Sequence, residues 1–215
     1  MKTALILGST GLVGSKVVEQ LKSDSRYSKI ILINRRDTNP KHPKVEEIIV
    51  DFSDLNTELN GLNADDVFCC VGTTIKTAGS KEKFKSVDLD IPVLFGKLAK
   101  INNWSNFAVI SALGANSKSG NFYSSIKGKM EDQLKAFNIV KLIILRPSLL
   151  TGDREEFRLG ERIGQVAFSV LNYILIGPLK KYRSISADQV AKAMIYFSND
   201  NTTKIIHEND ELLGV

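Results

Sequence analysis

The feature that most constrains this chain lies at its start. A short apolar run, Thr3–Leu7, ends on Gly8-Ser9-Thr10-Gly11-Leu12-Val13-Gly14 and passes directly into a helical pattern. A short run that is apolar throughout and closed by glycine reads as a fully buried strand. Val13, Val17, Val18 and Leu21 then recur at helical spacing across Leu12–Lys22. Three glycines at this interval in a strand-to-helix turn have distinct physical uses. They permit positive φ, let an anion approach the backbone, and allow the helix to pack close to the strand. The unbonded N–H groups of the helix start, with the helix dipole behind them, face that anion. The turn therefore predicts a diphosphate site built from Gly8, Ser9, Thr10, Gly11, Leu12 and Val13.

The alternation continues along the chain. Lys29–Asn34, Glu46–Phe52, Asp66–Val71, Phe107–Ser111 and Val140–Leu145 read as further strands. Helical patterns fall near Val87–Ile101 and over Tyr123–Phe137, and a polar stretch spans Gly72–Lys85. Apolar strands alternating with amphipathic helices predict a parallel sheet covered on both faces. After Ser148 the pattern changes. Leu159–Ile176 is a long apolar helical stretch, suited to a core or a dimer face, followed by a helix over Ala187–Phe197 and an edge strand at Lys204–His207. The expected fold is a Rossmann-type, doubly wound α/β domain over 1–215, with residues of about 149–185 forming a small substrate-side lobe.

Composition narrows the function classes. The chain has 215 residues, 43% hydrophobic and 25% charged, the profile of an ordinary globule. No apolar run reaches the roughly 18 residues of a membrane span. Met1-Lys2 leads straight into the first strand, with no secretory signal, so a cytoplasmic protein without a membrane partner is expected. The two cysteines, Cys69 and Cys70, are neighbours in the fourth strand and read as core residues, and the separated His42 and His207 form no metal cluster. A net charge of +5 describes a lysine-rich surface that also suits an anionic ligand. The lysines are dispersed and not interleaved with aromatics, which argues against nucleic acid.

Cofactor choice is read where the second strand ends, at Asn34-Arg35-Arg36. An NAD site places a carboxylate there to accept from ribose hydroxyls, whereas two guanidiniums favour a ribose phosphate. NADP(H) is therefore expected rather than NAD, with Asp37 as the residue that would serve NAD. Asp51, after the third strand, is either an adenine contact or a solvated turn carboxylate. Trp104 reads as a helix-end packing residue. Lys180-Lys181-Tyr182-Arg183 reads as a solvated loop or a substrate-carboxylate contact.

A second constellation carries chemistry. Tyr123 and Lys127 lie four apart on one helix face, and Ser111 ends the strand before that helix, at the carboxyl edge where open α/β sheets bind ligands. A tyrosine titrates at about 10 in water, and bringing its proton into play near neutrality takes about 4 kcal/mol, which a close ammonium can supply. Ser111 would hold the reacting oxygen, Tyr123 move the proton, and Lys127 assist the tyrosine and hold the nicotinamide ribose.

Taken in order, the glycine turn, Asn34-Arg35-Arg36, Asp51, Cys70-Val71-Gly72-Thr73-Thr74, Ser111, Tyr123-x-x-x-Lys127 and Leu145-Arg146-Pro147-Ser148 resemble the atypical short-chain dehydrogenases/reductases. Within them, Ile110–Asn116, Lys127-Gly128-x-x-Glu131 and Arg146–Leu150 with Gly152 and Arg154 resemble the Tat-interacting-protein family of NADPH-binding, epimerase-like proteins. The resemblance implies that Gly8, Thr10, Gly11, Leu12 and Val13 line the diphosphate and that Arg35 and Arg36 meet the 2′-phosphate. It further implies that Asp51 and Phe52 meet the adenine, that Val71, Gly72 and Thr73 run along the ribose, and that Pro147 and Ser148 lie near the nicotinamide. Two departures stand out. No Asn-Ala-Gly follows the fourth strand, so a fourth catalytic asparagine is not identifiable. The segment after Ser148 is short beside those of sugar-nucleotide epimerases, which disfavours a bulky sugar nucleotide.

The expected function is an NADP(H)-dependent oxidoreductase acting on a small carbonyl or alcohol substrate, as a monomer or homodimer. The alternative is an NADP(H)-sensing regulator whose output is association with a protein partner.

Overall fold

The computed structural model describes residues 1–51, 59, 61–151 and 175–215. Phe52 and positions 159–174 of the expected apolar helix lie outside the described residues, as does most of the expected 149–185 lobe.

Seven parallel strands form one sheet: β1 (Lys2–Leu7), β2 (Tyr27–Asn34), β3 (Val45–Ile49), β4 (Asp66–Cys69), β5 (Asn106–Ile110), β6 (Leu142–Arg146) and, later in the chain, β9 (Ile206–Glu208). Their order is β3-β2-β1-β4-β5-β6-β9, so the direction of winding reverses between β1 and β4. Ligands of open α/β sheets bind beyond the strand ends at such a switch. A short parallel pair, β7 (Leu150–Thr151) with β8 (Ile185–Ser186), stands apart from the main sheet.

Helices cover both faces. α1 (Leu12–Ser23) and α6 (Ala187–Asn199) pack on one, and α4 (Ile91–Ile101) and α5 (Phe122–Ala136) on the other. Side chains of each strand alternate between these layers: Ala4 and Ile6 point to the α1 and α6 side, Leu5 and Leu7 to the α4 and α5 side. Both sets are buried, so the strands are apolar throughout.

Several strand limits differ from those the sequence pattern indicates, among them those of β3, β4 and β6. β1 stops at Leu7, where Gly8 turns, and β4, paired with it residue by residue, stops at Cys69 instead of Val71. β3 stops at Ile49, the partner of Asn34 at the end of β2. β6 begins at Leu142 because Asn138 turns with a φ of 50° and Val140 is exposed. The stretch read as polar loop holds two short helices, α2 (Ile75–Ala78) and α3 (Lys81–Lys85), capped by Thr74 and Ser80. From α3 the chain passes through a π-helical turn at Ser86–Asp90 into α4, a wider winding that buries the adjacent Asp88 and Leu89 together. A last short helix, α7 (Asn209–Leu212), follows β9.

At the amino edge of the sheet Asp66 is fully buried. It accepts hydrogen bonds from Lys2 Nζ at 3.0 Å, from the Tyr27 hydroxyl at 2.5 Å and from the Asn106 amide. Asn199, at the end of α6, joins Lys2 and Tyr27 in this cluster. The carboxyl edge is where the glycine turn and the tyrosine–lysine pair meet.

Candidate active site

Each glycine of the turn has a separate job. Gly8 adopts φ +77°, and a Cβ there would lie 3.0 Å from the backbone of Cys70 and Val71, so the exit of β1 lies against the exit of β4. A Cβ on Gly14 would stand 2.1 Å from the Gly8 carbonyl oxygen, an impossible approach. Gly14 is thus the close-packing glycine. Gly11 caps α1 with ordinary extended geometry and no side-chain bond, and its N–H closes the turn on the Gly8 carbonyl at 3.0 Å. The first helical bond runs from Ser15 N–H to the Gly11 carbonyl, which leaves the Leu12 and Val13 amides without helical partners. No acidic side chain occupies this first turn. Free amides, no Cβ at Gly11 and no competing carboxylate are what a diphosphate requires.

The second strand end is tied by a carboxylate that sequence reading missed. Ser9 Oγ donates to Asn34 Oδ1 at 2.7 Å, and Asn34 Nδ2 donates to Glu47 Oε1 at 2.5 Å. Glu47 also accepts from the Thr38 hydroxyl at 2.7 Å and the Thr38 amide at 3.0 Å. Burial works to raise the Glu47 pKa, but the bonds from Thr38 and Asn34 outweigh it and hold it at about 2. Arg35 and Arg36 are exposed and form no ion pair with the described residues. Asp37 accepts from the Asn39 amide at 2.6 Å in a local turn, and Asp51 is exposed. Gly8, Ser9, Thr10, Asn34, Arg35, Arg36 and Asp51 lie outside the lining of the cavity at the carboxyl edge.

That cavity, of about 460 Å³, brings the other predicted residues together. Gly11, Leu12 and Val13 line one end, Val71, Gly72 and Thr73 follow from β4, and Ser111, Tyr123, Lys127, Pro147 and Ser148 complete it. Tyr123 is 38% exposed, its ring packs on Phe84 at 5.7 Å, and its hydroxyl has no hydrogen-bond partner among the described residues. Lys127 is buried, its Nζ 2.8 Å from Asp88 Oδ1 and 3.2 Å from the Ile110 carbonyl. Burial presses the ammonium to lose its proton, but Asp88 and then Tyr123 outweigh that, and its pKa lies above the ordinary lysine value. The second Asp88 oxygen accepts from the Thr73 amide at 2.9 Å. Lys127 is therefore a charged residue with its own counter-ion, Asp88, close to Tyr123.

Ser111 is also engaged. Its hydroxyl donates to Glu131 Oε1 at 2.5 Å, in a buried network where Arg146 grips both Glu131 oxygens at 2.9 and 2.6 Å and Glu208 at 2.9 Å. Ser111 thus turns its proton away from the cavity. The Ser148 hydroxyl is likewise given to the Arg183 carbonyl. Gly128 is the packing residue of α5, since a Cβ there would meet the Ser117 amide nitrogen at 2.1 Å. Sequence reading singled out neither Asp88 nor the bond from Glu131 to Ser111. Lys127 and Glu131, four residues apart on α5, reach different partners, Asp88 and Ser111 with Arg146.

The smaller expectations divide. Trp104 is fully buried at the end of α4 and donates to the Leu62 carbonyl at 2.7 Å. Cys69 is buried, while Cys70 is partly so and borders the cavity. Lys180 is exposed, Arg183 turns its Nε to the Leu175 carbonyl at 2.7 Å, and Tyr182 alone of that run lines the cavity.

No family model matches the chain. Curated relatives do. The mitochondrial protein FMP52 of Meyerozyma guilliermondii is 34% identical over 197 residues, 90% of this chain and 84% of its own length. HTATIP2 of Rattus norvegicus is 32% identical over 174 residues, 79% of this chain and 72% of its own. Among solved structures, a short-chain dehydrogenase/reductase family oxidoreductase from Burkholderia thailandensis, 16% identical, superposes with a TM-score of 0.71 over 99% of this chain and 93% of that one. MoeE5 in complex with UDP-glucuronic acid and NAD, 14% identical, gives 0.69 over 95% and 74%. The expectation of a cytoplasmic protein is corrected by these relatives, since the FMP52 proteins of several fungi are named mitochondrial. The absence of a secretory signal bears on export alone and says nothing of import into an organelle. Sheet, switch point and glycine turn are those of the short-chain dehydrogenase/reductase fold, and the chain belongs to the family that contains HTATIP2 and the FMP52 proteins.

Proposed function

We propose that the protein is an NADP(H)-dependent oxidoreductase acting on a small carbonyl or alcohol. The observation that carries this reading is a single cavity joining the helix start at Gly11–Val13 to Tyr123 and the buried Lys127. The bound nicotinamide supplies or accepts the hydride. Tyr123, with a free hydroxyl at the cavity, exchanges the proton on the reacting oxygen. Lys127, held by Asp88 and the Ile110 carbonyl, keeps a donor for a ribose hydroxyl or the tyrosine. Ser111 offers the cavity an acceptor oxygen, because its proton is on the Glu131 side. For cofactor choice, the Glu47 carboxylate tied to the end of β2 already accepts from the Asn34 amide and from the Thr38 hydroxyl and amide, which compete with bare ribose hydroxyls. Arg35 and Arg36 remain available to a phosphate.

Fluorescence titration should find NADPH bound several-fold more tightly than NADH, with Arg35→Glu erasing the difference. In an NADPH-oxidation screen of aldehydes, ketones and quinones, Tyr123→Phe should keep cofactor affinity and lose about 10²-fold in turnover. Equal affinities for the two cofactors overturn the NADP(H) assignment, and full turnover by Tyr123→Phe overturns the mechanism. The engagement of Ser111 and Lys127 by carboxylates supports a second reading, a cofactor sensor. It gains if NADPH changes association with a protein partner equally in wild type and Tyr123→Phe.

A further inference from the structure

We infer that the part of this cavity away from the glycine turn takes an uncharged, predominantly apolar substrate and rejects substrate carboxylates and phosphates, because the two formal charges in the described lining cancel each other. The inference rests on the oxidoreductase reading of the same site. Away from the glycine turn the walls include the apolar Leu113, Pro147, Leu149, Leu150 and Tyr182, alongside Thr73, Ser111, Tyr123 and Ser148. Leu149 is 53% exposed and Tyr182 51%, large apolar surfaces held open at a cavity. Apolar walls with a few placed polar groups are the usual make-up of a small-molecule site.

The charged groups of that lining are Asp88 and Lys127, 1% and 4% exposed and 2.8 Å apart. An anion drawn to Lys127 must share it with Asp88, and pulling the ammonium away leaves a buried carboxylate without its counter-ion. The hydroxyls that might otherwise donate are committed, Ser111 to Glu131 and Ser148 to the Arg183 carbonyl. Nearby cations are turned elsewhere: Arg183 Nε bonds the Leu175 carbonyl, and Lys181 Nζ lies over the Tyr182 ring at 5.4 Å. An anionic head group would lose its water against leucines and gain only the Tyr123 hydroxyl, too little to offset the desolvation of a charge. A ketone or alcohol oxygen needs one partner, and the Tyr123 hydroxyl provides it.

The test uses the full chain saturated with NADP⁺ and a matched pair of probes, 4-phenyl-2-butanone and its ring carboxylate, 4-(3-oxobutyl)benzoate. Calorimetry should find the neutral ketone bound at least tenfold more tightly. Asp88→Asn uncovers the Lys127 charge and should strengthen keto-acid binding at least tenfold, and adding Lys127→Met should abolish that gain. Should Asp88→Asn not fold, Leu149→Arg places a cation on the exposed wall and should produce the same shift. Equal or tighter binding of the keto acid by wild type overturns the inference, as does binding of neither probe or an unchanged ratio in folded Asp88→Asn. Failure to bind NADP⁺ itself sinks the oxidoreductase reading instead.

Discussion

The two glycines Gly14 and Gly11 should separate stability from cofactor binding. In Gly14→Ala the new Cβ meets the Gly8 carbonyl oxygen at 2.1 Å and its carbon at 2.8 Å, against the 3.0 Å that real Cβ atoms respect. Backbone, not a pliable side chain, stands in the way, so the start of α1 must move off β1. Overpacking costs about 1–3 kcal/mol, and an approach of 2.1 Å to backbone places this clash in the upper part of that range, about 2–3 kcal/mol. Replacing glycine by alanine inside a helix returns up to about 1 kcal/mol, so the clash wins by roughly 1–2 kcal/mol. At about 2–4 °C per kcal/mol for a chain of this length, the melting temperature should fall by about 2–8 °C. The same displacement shifts the Leu12 and Val13 amides, and misplacement of a binding group by about 1 Å costs as much as 10²-fold. Gly11 differs, since its φ of −77° suits any residue and a Cβ there touches only the Gly8 oxygen, at 3.2 Å. Gly11→Val should melt within about 3 °C of wild type, a change of about 1 kcal/mol or less at a capping position, yet lose NADPH affinity at least tenfold. Thermal melts by circular dichroism and NADPH fluorescence titration read both quantities. If Gly14→Ala melts with wild type, or folded Gly11→Val binds NADPH normally, the assignment of roles within the turn is wrong.

Three further outcomes follow from the buried groups. Glu131→Gln removes the charge that Arg146 grips, and loss of one member of a buried pair costs about 3–5 kcal/mol, a fall of about 6–20 °C in melting temperature; a melt within 2 °C of wild type, about 1 kcal/mol, refutes that account. Glu47 is held at about 2 in the fold against 4.5 ordinarily, so its contribution is complete above 4.5 and is lost as pH falls toward 2; the urea midpoint of Glu47→Gln should fall less steeply over that range than that of wild type, and parallel slopes contradict it. Burial pushes the Cys69 thiol up to about 12, so it should not react with a disulfide reagent at pH 8 until the protein is unfolded, whereas Cys70 borders the cavity; rapid labelling of both thiols in native protein would show otherwise.

The parts of the fold legible in the sequence are those written in local pattern. The strand, glycine turn and helix at residues 3–22 declare themselves because each element is apolar at its own period, and Gly14 is already in the packing role the structure gives it. The site was less legible where it depends on charge. An aspartate within a polar–apolar mixture such as Ser86–Asp90 reads as solvated, and only the π turn, which no local pattern announces, buries Asp88 against a lysine 39 residues further on. Ser111 could be placed at the correct strand end, but the direction of its proton is decided by Glu131 on another element. Strand limits were legible only to within a few residues, because each strand ends where its neighbour does.

The cluster around Asp66 has a consequence for how the chain is completed. Its direct partners are Lys2, Tyr27 and Asn106, and Asn199 completes the cluster by bonding Lys2 and Tyr27, so positions near both ends meet at this carboxylate. Until the last turn of α6 arrives, Lys2, Tyr27 and Asn106, which hold this carboxylate, lack their bonds to Asn199 and Ser198, and a loosely held buried carboxylate opposes collapse. Contacts between such distant positions form late. A partial chain still leaving the ribosome, or one threaded through a membrane from its first residue, therefore stays loose at this edge of the sheet. It closes only when nearly all of its length has come through.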